Sequence, residues 1–439
     1  VFEASHPFAL FDYFRIPYQV RSGHQALTVP VPAGLHRIRV TGQTGPARYL
    51  FWPDTQARRT SGPASGLASG LASGALGRHE VQGCTFFGHV VSAIPAGAQR
   101  LGDQWHPAEP VLNAAGLPVA AIWRDSNGSI FLPFDPGEVM HQYWSEQYLR
   151  LGRSAARAAA RSALLGTYYR TRPAIPRSVQ LRLRRRFVAV QTRSSFPAWP
   201  VEDSLHELYD WLINLISGFA GMPVPFIDLW PSGRSWALVL THDVETGAGR
   251  DDISLLREAE RELGYRSSWN FVGQRYPVSA DLIQALKDEG CEIGVHGLRH
   301  DGRDLRSRRT VRKRLPAMRE FARQWQAVGF RSPSTQRAWE LMPLLGFEYD
   351  SSYSDTDPYE PQPGGCCTYL PFFNQNLVEL PITLPQDHTL FSILADQGAD
   401  VWLTKTHHLR ERRGLALVHG PAAAHGRVRL ATANQPYSG

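Results

Sequence analysis

The chain has 439 residues, 43% hydrophobic and 11% aromatic, long enough for two or three domains with ordinary cores and too apolar for a disordered or fibrous protein. Its formal charge is +7, but only Lys287, Lys313 and Lys405 among the 47 basic residues are Lys. That Arg bias reads as coding composition rather than as a nucleic-acid footprint, since no recognised binding motif accompanies it. Four Cys, two of them adjacent at Cys366-Cys367, make no disulfide framework, so a reducing compartment is expected.

Residues 1–145 read as a small α/β domain. Arg48 to Trp52 and Thr85 to Ile94 have strand composition, and Val119–Trp123 and Ser129–Phe134 flank a hairpin turn at Asp125-Ser126-Asn127-Gly128. Between the first two strands, 61–77 repeats Gly-Leu-Ala-Ser and reads as a flexible insert. No catalytic constellation falls in this region. Residues 146–230 read as an Arg-rich helical connector. Arg150 to Arg193 holds twelve Arg and no acid, with Arg150, Arg153, Arg157 and Arg161 striping one helix face. Such a face is either solvated or drawn to anionic lipid headgroups or an acidic glycan. The most hydrophobic window, Leu208 to Trp230, is interrupted by Asp210, Asn214, Pro223, Pro225 and Asp228, so it reads as core helix and loop rather than a membrane span. With no visible signal peptide, the expected location is the cytoplasm or the inner membrane face.

From residue 231 the pattern becomes strand-helix alternation, the signature of a parallel sheet or barrel. Trp236 to Leu240 reads as a strand buried on both faces and runs into Thr241-His242-Asp243-Val244-Glu245. Ser254 to Leu263 reads as a helix, Ser267 to Val272 as a strand, and Ala280 to Glu289 as a helix stopped by Gly290. Cys291 to Val295 is another strand, and it delivers His296-Gly297-Leu298-Arg299-His300. In α/β barrels the carboxyl ends of the strands carry the chemistry, and Asp243, Glu245 and His296 all lie there. Imidazole nitrogens and a carboxylate suit Zn²⁺ and leave positions open for water and substrate. Two His at i and i+4 converge if the residues between them make about one helical turn. A bare pair is weak evidence, because 16 His in this length give about 0.6 such pairs by chance; placement behind an acidic strand end strengthens it.

Taken in order, these segments resemble the NodB-homology polysaccharide deacetylases, carbohydrate esterase family four, over about 236–419. The family's Thr-Phe-Asp-Asp run is matched in part by Thr241-His242-Asp243, its His-x-x-x-His pair by His296 and His300, and its Arg-x-Pro by Arg331-Ser332-Pro333. Tyr349-Asp350-Ser351-Ser352, Glu379-Leu380-Pro381 and the strand Leu415 to His419 follow in the family's order. The resemblance implies a distorted (β/α) barrel over 231–421 that removes N-acetyl groups from a poly- or oligosaccharide with a divalent metal, Zn²⁺ above all. It implies Asp243 as base, Arg331 as the residue that orients and holds that carboxylate by charge-assisted hydrogen bonds, and His419 as acid. His296 and His300 would be metal ligands. Val244 replaces the family's second Asp, so Glu245, one residue on, is expected as the third ligand. A competing assignment makes Asp243 the ligand and His242 the base. Two other functions compete with the first: a metal-independent amidohydrolase of the same fold, and a catalytically inactive glycan-binding protein. Residues 422–439, Ala- and Gly-rich and unpatterned, read as a truncated or frame-shifted tail.

Overall fold

The computed structural model describes residues 2–21, 32, 34–41, 47–55, 74, 76–151, 196–360, 362–394 and 398–421. The Arg stripe beyond Arg150, most of the 61–77 insert and the tail after 421 lie outside them. The described residues form two compact units, one from residues up to 151 with Glu202–Gly233, the other from residues 196–201 with Arg234 onward.

The first unit is built on nine strands: β1 (Phe2–Ala4), β2 (Tyr18–Val20), β3 (Leu35–Val40), β4 (Tyr49–Pro53), β5 (Gly77–Val81), β6 (Cys84–Gly88), β7 (His106–Asn113), β8 (Pro118–Arg124) and β9 (Ile130–Phe131). They form one sheet in the order β2-β1-β3-β4-β9-β8-β7-β5-β6. The turn between β8 and β9 is a hairpin, with Trp123 opposite Phe131 and the Asp125 carboxylate accepting from the Asn127 amide at 3.0 Å. The strand expected over Thr85 to Ile94 stops at Gly88. Helix Ser204–Ala220, part of the segment expected as a connector, belongs to this unit. It buries Leu205, Leu208, Leu212, Ile216 and Phe219, three or four residues apart, as an amphipathic core helix does, and Gly221 ends it in the left-handed region. Among the described residues no helix is long and apolar enough to cross a membrane.

The second unit holds β10 (Ala237–Val244), β11 (Ser267–Phe271), β12 (Glu292–Val295), β13 (Gly329–Phe330), β14 (Tyr349–Asp350), β15 (Phe372–Asn374), β16 (Leu377–Glu379) and β17 (Leu415–Pro421). Their order is β15-β16-β14-β13-β12-β11-β10-β17, parallel throughout except for β15. Helices Ile253–Glu262, Ala280–Asp288, Arg308–Trp325 and Asp400–Glu411 connect successive strands. Local chemistry sets their ends: the Ser279 and Ser307 hydroxyls accept from the Leu282 and Thr310 amides, and Gly290 at φ +80° stops the second helix. The expected barrel is thus a mixed α/β unit in which, among the described residues, the edge strands β15 and β17 do not pair with each other, so strand hydrogen bonding there does not close the ring. β15 is the hairpin partner of β16 and runs against the other seven strands. Nor is β10 buried on both faces. Leu238 is 41% exposed, and burial becomes complete only at Asp243 and Val244. The parallel register brings the carboxyl ends of the strands together, with Asp243 beside Asn270 and Thr241 beside His419.

Candidate metal centre and active site

Strand alternation decides which residues of the acidic segment meet. On β10, Thr241 and Asp243 project to one face and His242 to the other. His242 places Nε2 2.7 Å from Glu260 Oε1 and stacks on Trp269 at 4.4 Å between ring centroids, so it stands apart from the site. Val244 is fully buried, and its carbonyl accepts from the Tyr276 hydroxyl.

Asp243, 1% exposed, is the centre of a close-packed polar group. Its Oδ1 accepts from Asn270 Nδ2 at 2.9 Å, and its Oδ2 lies 3.4 Å from His296 Nδ1 and 3.4 Å from His419 Nε2. Gly294 leaves the space for Asn270, since a Cβ there would stand 2.0 Å from Asn270 Oδ1. Arg331 is also at the site but does not hydrogen-bond Asp243 as expected. Its Nη1 stays 3.8 Å from Oδ1, because the guanidinium is engaged elsewhere, donating to Thr241 Oγ1 and Ser351 Oγ at 2.8 Å each. Those two hydroxyls in turn donate to the Val418 and Leu380 carbonyls, tying Arg331 to the neighbouring strands. Asn270, not Arg331, makes the hydrogen bond that fixes Asp243. The sequence offered one signal for it, a polar amide between the aromatic residues Trp269 and Phe271 of a strand, which needs a partner when buried.

Glu245, His296 and His300 form a second, adjacent group. Their donor atoms all lie within 4.8 Å of one another. His296 Nδ1 sits 3.1 Å from the Arg331 carbonyl, which fixes the ring and leaves Nε2 buried with no hydrogen-bond partner. His300 Nε2 is 3.1 Å from Glu245 Oε1 but outside hydrogen-bond geometry, so it too lacks a partner. The two imidazoles converge, ring centroids 5.1 Å apart, without the helical turn that the spacing suggests. Gly297 at φ +69° and His300 at φ +52° turn the chain through the left-handed region instead.

Electrostatics suit ligation. Burial pushes His296 down to about 3 and His419 down to about 4, so both imidazoles are neutral near pH 7. Burial would raise Glu245, but His300 beside it outweighs that and holds its carboxyl well below the usual range. Two orphaned imidazole nitrogens beside a carboxylate fit a divalent cation, and Zn²⁺ in particular by donor type. Asp243 lies on the Nδ1 side of His296, away from the orphaned Nε2. Asp387, to which no role was assigned from the sequence, also stands within the field of this site. Burial pushes its carboxyl up to about 7; His242 pulls it down, while Glu245 and Asp243 add to the rise.

No protein-family model matches the chain, and no curated protein does. Solved structures do. A candidate polysaccharide deacetylase from Mycobacterium smegmatis aligns at 20% identity over 44% of this chain and 79% of its own, with a TM-score of 0.37. An allantoinase aligns at 16% over 44% and 80%, with a TM-score of 0.34. A family 4 carbohydrate esterase from Streptomyces lividans, solved with acetate, aligns at 13% over 43% and 80%, with a TM-score of 0.29. These likenesses are too loose to fix a family or an activity, so the reading of function rests on the residues themselves.

Proposed function

We propose that this chain is a metal-dependent hydrolase that removes an N-acetyl group from a sugar of a poly- or oligosaccharide. The observation that carries the reading is the pair of buried, partnerless Nε2 atoms of His296 and His300 beside Glu245, next to the Asp243–His419 contact. Glu245, His296 and His300 would hold the ion. When bound, a divalent cation acidifies water and polarises the amide carbonyl.

The chain's own residues then move the protons. Asp243, fixed by Asn270, accepts a proton from the water that attacks the acetamido carbon. The new C–O bond forms first, making the acetamido carbon tetrahedral, and its collapse breaks the C–N bond to give acetate and a sugar amine. The nitrogen needs a proton to leave. His419 is neutral near pH 7, so it serves as the acid by taking the proton from Asp243 across the 3.4 Å between them and passing it on. Arg331 offsets the charge of Asp243 from 3.8 Å. An N-acetylated glycan is the substrate in this reading. An anionic membrane surface is a second partner, through the Arg-rich segment outside the described residues.

The test is metal content of the purified protein with Glu245→Ala and His296→Ala, read beside acetate release from N-acetylated sugars. Near-stoichiometric Zn²⁺ in the wild type, lost from both variants together with turnover, is expected. Turnover without metal would replace this reading by a metal-independent amidohydrolase; neither metal nor turnover would leave a glycan-binding protein.

A further inference from the structure

The i, i+4 spacing does not by itself bring His296 and His300 to one ion, because the residues between them are not helical. Something must hold the turn. Its middle amide, Leu298 N–H, donates to Asp304 Oδ2 at 3.1 Å, and Asp304 is 2% exposed. The other oxygen of Asp304 accepts from Arg314 Nη1 at 2.6 Å, on the helix Arg308–Trp325. Arg314 is itself anchored by Asp301, at 2.7 and 2.6 Å. Gly297 fits only because it has no side chain: a Cβ would lie 2.4 Å from Asp304 Oδ2 and 2.7 Å from Pro333 Cγ. The carboxylate of Asp304 therefore occupies the hollow of the turn.

We propose that Asp304, gripped by Arg314, is the positioning residue of the metal centre: it holds the Gly297–His300 turn in its left-handed path and thereby sets the spacing of the two histidine ligands. This rests on the metal-binding reading above. The carboxylate makes no hydrogen bond or ion pair with either His ring. It acts through the Leu298 amide, and Arg314 carries the constraint back to a long helix. Removing support of this kind weakens metal affinity by about 10- to 100-fold in other sites.

Competition titration of Zn²⁺ against a chromophoric chelator tests this on the full chain, in the wild type, Asp304→Ala, Asp304→Asn and Leu409→Ala. The visible spectrum of the Co²⁺-substituted proteins is the companion measurement. Asp304→Ala is expected to bind Zn²⁺ about 10- to 100-fold more weakly and to shift the Co²⁺ bands. Leu409→Ala, which opens a cavity under the helix Asp400–Glu411 and touches none of these residues, should stay within about threefold of wild type with unchanged bands. A general loss of stability would not separate these two variants in this way. If Asp304→Ala does not fold, Asp304→Asn decides: it keeps an acceptor for Leu298 but loses the ion pair, and a weakening of at least about threefold is expected. Wild-type affinity and spectrum in the Asp304 variant that folds would overturn the positioning role and leave the metal centre standing. A wild type that binds no Zn²⁺ would overturn both.

Discussion

Arg331 and Asp243 are both 1% exposed and 3.8 Å apart, without a hydrogen bond between them. At that distance two unit charges attract by about 4 kcal/mol at an effective dielectric constant of about 20. Replacing Arg331 by Met removes this attraction, together with the hydrogen bonds to Thr241 and Ser351, and leaves Asp243 buried with only Asn270 as a firm partner. Breaking such a pair from one side costs about 3–5 kcal/mol, because the remaining charge is uncompensated. In an Asp243→Asn background that charge is absent, so Arg331→Met should cost much less. Urea denaturation of the four chelator-treated proteins gives the double-mutant cycle, with an expected coupling of about 2–4 kcal/mol. The two residues share no hydrogen bond, so this coupling reports the ion pair almost alone. A coupling below about 0.5 kcal/mol would mean that Arg331 matters only through Thr241 and Ser351 and has no direct effect on the proposed base.

Glu379 and Asp350 form a buried acidic pair, sharing the Ser352 amide at 3.0 and 2.9 Å. Burial and the proximity of Asp350 raise Glu379 well above the usual range, and burial pushes Asp350 up to about 6. The folded chain then holds a proton that the unfolded chain releases near pH 4.5. Stability should therefore fall as pH rises above that value, by up to about 1.4 kcal/mol per pH unit for one proton. Glu379→Gln, which mimics the protonated acid, should flatten the melting temperature between pH 5 and 9; a slope equal to wild type would show that the proton resides elsewhere. His242→Phe addresses the competing base assignment. His242 pairs with Glu260 and stacks on Trp269, so the variant should keep its metal and its acetate release within about threefold, at a cost of about 1–2 kcal/mol in stability. A folded variant with turnover reduced a hundredfold or more would restore His242 as the base.

How much of this was readable before folding varied with the range of the interaction. Strand and helix positions in the second unit followed from apolar periodicity and caps: the structure has strands at Ser267–Phe271 and Glu292–Val295 and a helix at Ala280–Asp288. The histidine pair and its neighbouring carboxylates were visible as residue types at strand ends. What the sequence did not carry was mutual geometry. Asn270 meets Asp243 only through the parallel register of β11 on β10, and Asp304 meets Leu298 only because the turn is left-handed. The distance from Arg331 to Asp243 depends on two hydroxyls, Thr241 and Ser351, that are 110 positions apart in the chain. Positions 61–73 and 152–195 and the tail after 421 fall outside the described residues, so the insert, most of the Arg stripe and the tail stay expectations.

The choice between a hydrolase and an inert binding protein turns on the buried imidazoles. A buried polar atom left without a partner costs about 1–3 kcal/mol, and here two Nε2 atoms face each other across one small space with a carboxylate at its rim. A glycan-binding surface has no use for that arrangement, because its polar groups must be reachable from solvent, whereas His296 is 1% exposed. A cation recovers the cost of both nitrogens at once and neutralises Glu245 as well. The same arrangement weighs against replacing Glu245 by Asp243 as the carboxylate ligand. Asp243 already has Asn270, His296 Nδ1 and His419 around its two oxygens, and turning it towards the orphaned nitrogens would strip Asn270 of its acceptor inside the sheet. In the proposed mechanism, that packing favours separate carboxylates for holding the metal and for accepting the proton.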